Sequence, residues 1–189
     1  MAGQTEAGRR RSGGLLKETK MGVRMIRLLG RRLDEATDLL ARCFHNTSLV
    51  AHFPDERARF RALPRMFAAG LRDALGFGHV YAATREIKRS DGDELVGVTV
   101  WLPPGAFPLS PGRQLRVLPG MAGVLAAAPR SACRLLRYTA GIARLHPAQP
   151  YWYLEVVGVD PSARGLGIGT RLLEPILAQA DKSGQPCYL

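Results

Sequence analysis

Cysteine is sparse in this sequence. Cys43, Cys133 and Cys187 are odd in number, far apart and without a C-x-x-C pair, which excludes a disulfide scaffold or a zinc site and fits idle thiols in a reducing cytosol. Long apolar runs are missing as well. The arginines of MAGQTEAGRRRSGGLLKETK precede no apolar segment long enough for a signal peptide. The most apolar internal stretch, Val117 to Ala128, contains Pro119, Gly120 and Gly123 and is too short to span a bilayer. A soluble cytoplasmic protein without a membrane partner is therefore expected. Acidic residues are also few: 16 Asp and Glu against 27 Lys and Arg leave a net charge of +11. Such a balance favours polyanionic partners, phosphorylated cofactors among them. No zinc-finger spacing, RNA-binding aromatic signature or basic heptad run accompanies the charge, so it reads as a solvated basic surface plus a basic tail, with no dedicated nucleic-acid binding.

What is present suits one globular domain. A chain of 189 residues, 46% hydrophobic and 23% charged, can bury one core and is too short for two full domains. Residues 1–20 combine Gly, Ser, Arg and Lys with little to bury and read as a disordered basic tail. Gly22 to Leu29 alternates as a first strand. Asp34 is expected to cap a helix running to about Phe44. His45 to Pro54 reads as a polar and aromatic loop; its two histidines, His45 and His52, are loop or capping residues, or a proton shuttle. A second helical stretch, Asp55 to Leu75, carries Phe60, Leu63, Met66, Phe67, Leu71 and Leu75 on one face, with Pro64 expected to kink or split it. His79 to Glu86 and Glu94 to Leu102 read as a hairpin turning at Asp91-Gly92, with Val96, Val98 and Val100 on one face. Residues 105–149 suggest helical pieces interrupted at Pro119 and Pro129.

The most informative stretch is Tyr151 to Gly184: a strand rich in aromatic and β-branched residues, a stop at Asp160-Pro161, a glycine-rich turn and an amphipathic helix closed by Gly184. Bare N–H groups at a helix start, with the aligned peptide dipoles behind them, favour a phosphate. Gly165, Gly167 and Gly169 would keep side chains from holding that phosphate off or from clashing in a tight turn. Spacing separates the candidate motifs. A dinucleotide fingerprint G-x-G-x-x-G fails, because Thr170 or Leu172 stands where its third glycine belongs; the G-x-x-x-x-G-K-[ST] loop fails because no Lys follows. The pattern that fits is R-x-x-G-x-G, Arg164-Gly165-Leu166-Gly167-Ile168-Gly169, directly after L-E-V-V-G-V-D-P.

That run, WYLEVVGVDPSARGLGIGTRLLEPIL, resembles the acetyl-CoA signature of the GNAT N-acetyltransferase superfamily. The resemblance implies an α/β fold with a mixed sheet, a helical insert (105–149) before the fourth strand, and an N-acetyltransferase domain over residues 21–189. It implies acetyl-CoA as acyl donor and no metal, with Val157, Gly158 and Val159 lending backbone groups to the pantetheine arm. Arg164, Gly165, Leu166, Gly167, Ile168, Gly169 and Thr170 would surround the pyrophosphate. The reaction implied is direct acetyl transfer to a primary amine of an unidentified small acceptor. An alkyl ammonium of pKa about 10.4 is only about 0.1% neutral at pH 7.4, so a base is needed. Glu155, placed by strand alternation beside Tyr151, Tyr153 and Val157, is the candidate, or else a strand residue paired with an arginine. The insert is either a packing element or a wall over the acceptor.

Members of the superfamily continue past the strand begun at Tyr188 for two more strands and usually bring a Tyr that protonates the departing thiolate. Neither is present, and Tyr188 lies too early for that role. The expected fold is therefore C-terminally incomplete: either the sequence is a truncated piece, or it is a fragment whose half-open sheet exposes an unpaired edge and needs a partner; a homodimer is one option. The alternative function is a non-catalytic CoA-binding or interaction module.

Overall fold

The computed structural model describes residues 16–18, 22–47, 56–87, 92–127, 137, 141, 146–147 and 149–189. One six-stranded sheet organises them, in the order β1 (Leu16–Glu18), β2 (Val23–Arg27), β3 (Val80–Glu86), β4 (Asp93–Leu102), β5 (Trp152–Val159) and β6 (Cys187–Tyr188). The pairings from β1 to β5 are antiparallel, and β6 joins β5 in parallel. A parallel return needs a long crossover, supplied here by the helix α4 (Ile168–Ser183). Within the expected tail, residues 16–18 form strand β1 and pair with β2. Residues 1–15 lie outside the described part, as do His52, the Lys88–Asp91 turn and most of the second expected helical piece of the insert.

Helices cover both faces of the sheet. On one side lie α1 (Leu33–Phe44) and α2 (Glu56–Leu75), with α3 (Pro111–Ala127) against α2. Their core holds Leu39, Leu40, Leu63 and Leu71 against Val80, Val98, Val100 and Leu102. On the other side α4 buries Ile168, Leu172, Ile176 and Ala180 against Met25, Val96, Trp101 and Trp152. Apolar residues at helical spacing on α4 meeting alternate strand residues give this two-sided layering.

Several local expectations are corrected. The residue before α1 is Arg32, with no side-chain cap, and Asp34 stands inside the first turn, where its charge still complements the helix dipole. Helix α2 does not split at Pro64, and α3 runs through Pro119 without interruption. Phe60, assigned to the apolar face of α2, is 64% exposed; Ala58, Ala62, Ala69 and Ala74 are buried there. A register shift in the β3–β4 ladder beside Leu95 and Gly97 turns Val96 to the α4 side, opposite Val98 and Val100. Small residues set the closest approaches. A Cβ on Gly120 of α3 would stand 2.6 Å from that of Ala69 on α2, and one on Gly158 of β5 would stand 2.8 Å from Cδ2 of Leu40 on α1. Gly158 is thus required by packing between α1 and the sheet.

Candidate functional site

Strand β5 ends at Val159, and Asp160 closes it. Its carboxylate accepts the N–H of Ser162 at 3.0 Å, capping a short 3-10 turn at Pro161–Ala163, and lies 3.4 Å from the Arg42 guanidinium. The backbone then turns through Gly165 (φ 78) and Gly167 (φ 69), a left-handed region that costs a side chain-bearing residue about 1–2 kcal/mol. A Cβ at either position would meet nothing within 4 Å. Backbone conformation, and not the expected clash within the turn, is what calls for glycine there. Gly169 lies inside α4, where a Cβ would make ordinary contact with Val159 at 3.7 Å.

This turn leaves its donors free. The first backbone N–H of α4 with a backbone partner is that of Arg171, which donates to Gly167 at 3.2 Å. The amides from Gly165 to Thr170 have no backbone acceptor among the described residues. Arg164, Gly165, Leu166, Gly167 and Thr170 are exposed, Gly169 is half-buried, and Ile168 is buried as the turn's anchor to the core. Arg164 folds back, its Nε donating to the Val159 carbonyl at 3.4 Å. The result is an open hollow of about 220 Å³ between Val159, Ala163 and the run from Arg164 to Thr170. Partnerless amides at a helix start, beside an arginine, suit an anion such as a diphosphate.

The hollow meets the end of β5 at Val159. Asp160 N–H donates to Val96 of β4 at 2.9 Å. Alternation therefore points the backbone of Gly158 to β4 and that of Val157 and Val159 to the opposite edge. On that edge β6 pairs only with Trp152 and Tyr153. From Leu154 onward the edge has no strand partner among the described residues, so it can accept an extended amide-bearing arm.

Glu155 sits where the β4–β5 register shifts. Val156 faces Val100 and Leu154 faces Trp101, leaving Glu155 as the extra residue of a β-bulge. The bulge corrects its expected neighbours: Val157 turns to the α4 side, while Tyr153 and Val156 pack toward α1 and α2. The Glu155 carboxylate reaches α2, where a Cβ on Gly70 would stand 3.0 Å from Oε1. The residue is solvent-accessible, with protein atoms crowded around its carboxylate. Loss of hydration there, reinforced by Asp73 and opposed by Arg113, raises its pKa from an ordinary 4.5 to about 7. The Glu155 side chain has no hydrogen bond or ion pair among the described residues, an arginine partner included.

Asp73 and Arg113 lie 40 residues apart and were not singled out in the sequence. Gly70 carried a local signal, since a glycine inside a helix costs about 1 kcal/mol relative to alanine and calls for a reason. The other candidates do not gather here. His45 is bonded to Asn46 and packs on Phe60, and Cys43 is buried with its thiol pushed up by burial. Tyr188 joins a ring group with Tyr151 and His146. Among the described residues no cluster of three or more His, Cys, Asp or Glu could hold a metal ion, and no helix is long and apolar enough to cross a membrane.

Residues 122–189 match the family model described as the acetyltransferase (GNAT) family. Among solved structures, the chain is similar to a histone acetyltransferase HPA2 and related acetyltransferase from Corynebacterium glutamicum. The two are 24% identical, with 85% of this chain and 72% of that one covered and a TM-score of 0.58. It is also similar to arylalkylamine N-acetyltransferase 2 from Aedes aegypti, at 14% identity, 86% and 72% coverage and a TM-score of 0.50. These likenesses are of fold, and they agree with the mixed α/β sheet described above.

Proposed function

We propose that this GNAT-fold chain, an acyltransferase by its matched family, carries an acetyl group from acetyl-CoA to the primary amine of a small acceptor by direct attack. The observation that carries the reading is the turn Arg164–Thr170. Its exposed, partnerless amides open onto the unpaired edge of β5, with Glu155 on the same strand. In this reading the amides of Gly165 to Thr170 and the Arg164 side chain hold the diphosphate, and the backbone of Val157 and Val159 pairs with the pantetheine amides. Gly158 contributes by letting α1 close against the strand.

Glu155 then acts on the acceptor. It takes a proton from the ammonium, directly or through water, and the freed amine attacks the thioester carbonyl. A C–N bond forms, the C–S bond breaks, the thiolate leaves with the electron pair, and the second proton shed by the acylated nitrogen ends on that thiolate. A base whose pKa lies near the working pH is both available and strong enough for this transfer. Backbone N–H groups near Val157 are suited to polarise the carbonyl. A cytoplasmic setting suits the free thiols of Cys43 and Cys187.

Titration calorimetry with acetyl-CoA, followed by thiol release over a panel of primary amines, tests the proposal. Binding together with amine-dependent CoA release is expected. Binding without release over the whole panel would mark a CoA-binding module, and absence of binding would sink the site.

A further inference from the structure

Between α2 and α3 lies an ion pair that neither the glycine-rich turn nor the strand edge accounts for. Asp73 on α2 and Arg113 on α3 are each only 11% exposed. The Arg113 Nε lies 3.1 Å from both Asp73 carboxylate oxygens, and its Nη2 adds a further bond to Oδ2. The guanidinium is itself fixed, with Nη1 donating to the Ala106 carbonyl and the fork stacked 4.7 Å from the Phe77 ring centre. Taking two charges out of water costs enough that a buried pair is weak evidence for stability alone. Its placement is informative, because Asp73 stands three residues after Gly70, on the same face of α2 that receives the Glu155 carboxylate.

We propose that the Asp73–Arg113 pair is a positioning device that trims the charge state which burial imposes on Glu155, with Gly70 leaving the space in which that carboxylate rests. The inference rests on Glu155 being the proton acceptor proposed above. Asp73 disfavours the carboxylate form of Glu155 and Arg113 favours it, so the pair delivers two opposed fields to one group. The α2 face contributes Asp73 and α3 contributes Arg113. The β4 face supplies the apolar Val100 and Leu102. Among the described residues, Tyr153, His146 against its ring, and Cys43 of α1 opposite Gly158 are further titratable side chains on this side of β5. Removing either partner breaks the same bridge and would disturb the fold alike, yet the two removals act on Glu155 with opposite sign.

The test is a carbon-13 titration of glutamate-labelled protein, with the Glu155 signal assigned by its absence in Glu155→Gln. Asp73→Asn is expected to lower the Glu155 pKa and Arg113→Met to raise it, each by roughly half a pH unit or more. Shifts of the same sign, or none, overturn the proposal. Arg113→Lys keeps the charge without the fork and serves if Arg113→Met does not fold. A Glu155 pKa close to the parent's in a protein of lower Tm supports a field effect, and a pKa displaced as in Asp73→Asn overturns it. No turnover is needed for this readout. If the carboxyl titrations separate as stated while the pH–rate profiles do not follow, the pair's control of Glu155 stands and the base role falls. If the profile depends on Glu155 but neither variant moves its titration, the base role stands and this inference falls.

Discussion

The Glu155 carboxylate on β5 rests against the backbone of Gly70 on α2, where a Cβ would stand only 3.0 Å from Oε1. Gly70→Ala should therefore separate stability from activity. Alanine in a helix interior is favoured over glycine by about 1 kcal/mol, so Tm is expected to hold or rise. The carboxylate must move by a few tenths of an ångström, and kcat for acetyl transfer should fall severalfold with acetyl-CoA affinity unchanged. Thermal denaturation and steady-state kinetics on the same preparation check this. Full activity in the variant would mean that the contact has no bearing on the chemistry.

With its pKa raised to about 7, Glu155 is mostly protonated at pH 6 and mostly ionised at pH 8. If the carboxylate form accepts the proton, kcat should rise with pH through a midpoint near 7, about tenfold per pH unit below it. Glu155→Gln should lower kcat and abolish that limb while leaving acetyl-CoA binding intact. A profile of the same shape in the variant would return Glu155 to a structural role.

Gly167 combines a left-handed backbone with open space in front of it. In Gly167→Ala the methyl would project into the hollow beside the free amides, and the φ of 69 would strain the turn. A stability loss of about 1–2 kcal/mol is expected from the backbone term. Acetyl-CoA affinity should weaken at least about tenfold, some 1.4 kcal/mol. Calorimetry on the folded variant decides: unchanged affinity removes the turn from the binding site.

The Arg164–Thr170 turn was readable because every feature of it is local. The stop at Asp160-Pro161, the glycines at 165, 167 and 169, the helical spacing of Ile168, Leu172 and Ile176 and the C-terminal Gly184 all lie within one stretch, and each has a conformational reason. The strand boundaries followed from alternation for the same cause. What alternation could not supply were the register shifts at Val96 and Glu155. One reverses Val96, and the other lifts Glu155 out of the series with Val157, because a bulge depends on the partner strand as well as on the residues that form it. The prolines of α2 and α3 do not end their helices: α2 packs against α3, with Gly120 on Ala69, and each helix runs on past Pro64 and Pro119. The Asp73–Arg113 pair is a purely tertiary feature, brought together across 40 residues.

The same carboxyl group gives stability a pH dependence whose sign can be worked out. Glu155 binds its proton more tightly in the folded protein, near 7, than in an unfolded chain, near its ordinary 4.5. Between these values the folded state holds more protons, so stability falls as pH rises. The favourable contribution is complete below 4.5 and lost by the time pH has passed 7. Glutamine cannot ionise, and Glu155→Gln removes this term without removing the side chain's bulk. The difference in Tm, variant minus parent, should therefore climb from pH 4.5 to 7 and level off above it. Because the group is accessible to water, solvent screens part of the effect, and the direction of the difference is what identifies it. A difference that is flat across this range, measured by calorimetric melts in matched buffers, would show that Glu155 titrates alike in the folded and unfolded chains. That outcome would remove the basis for its action near neutral pH.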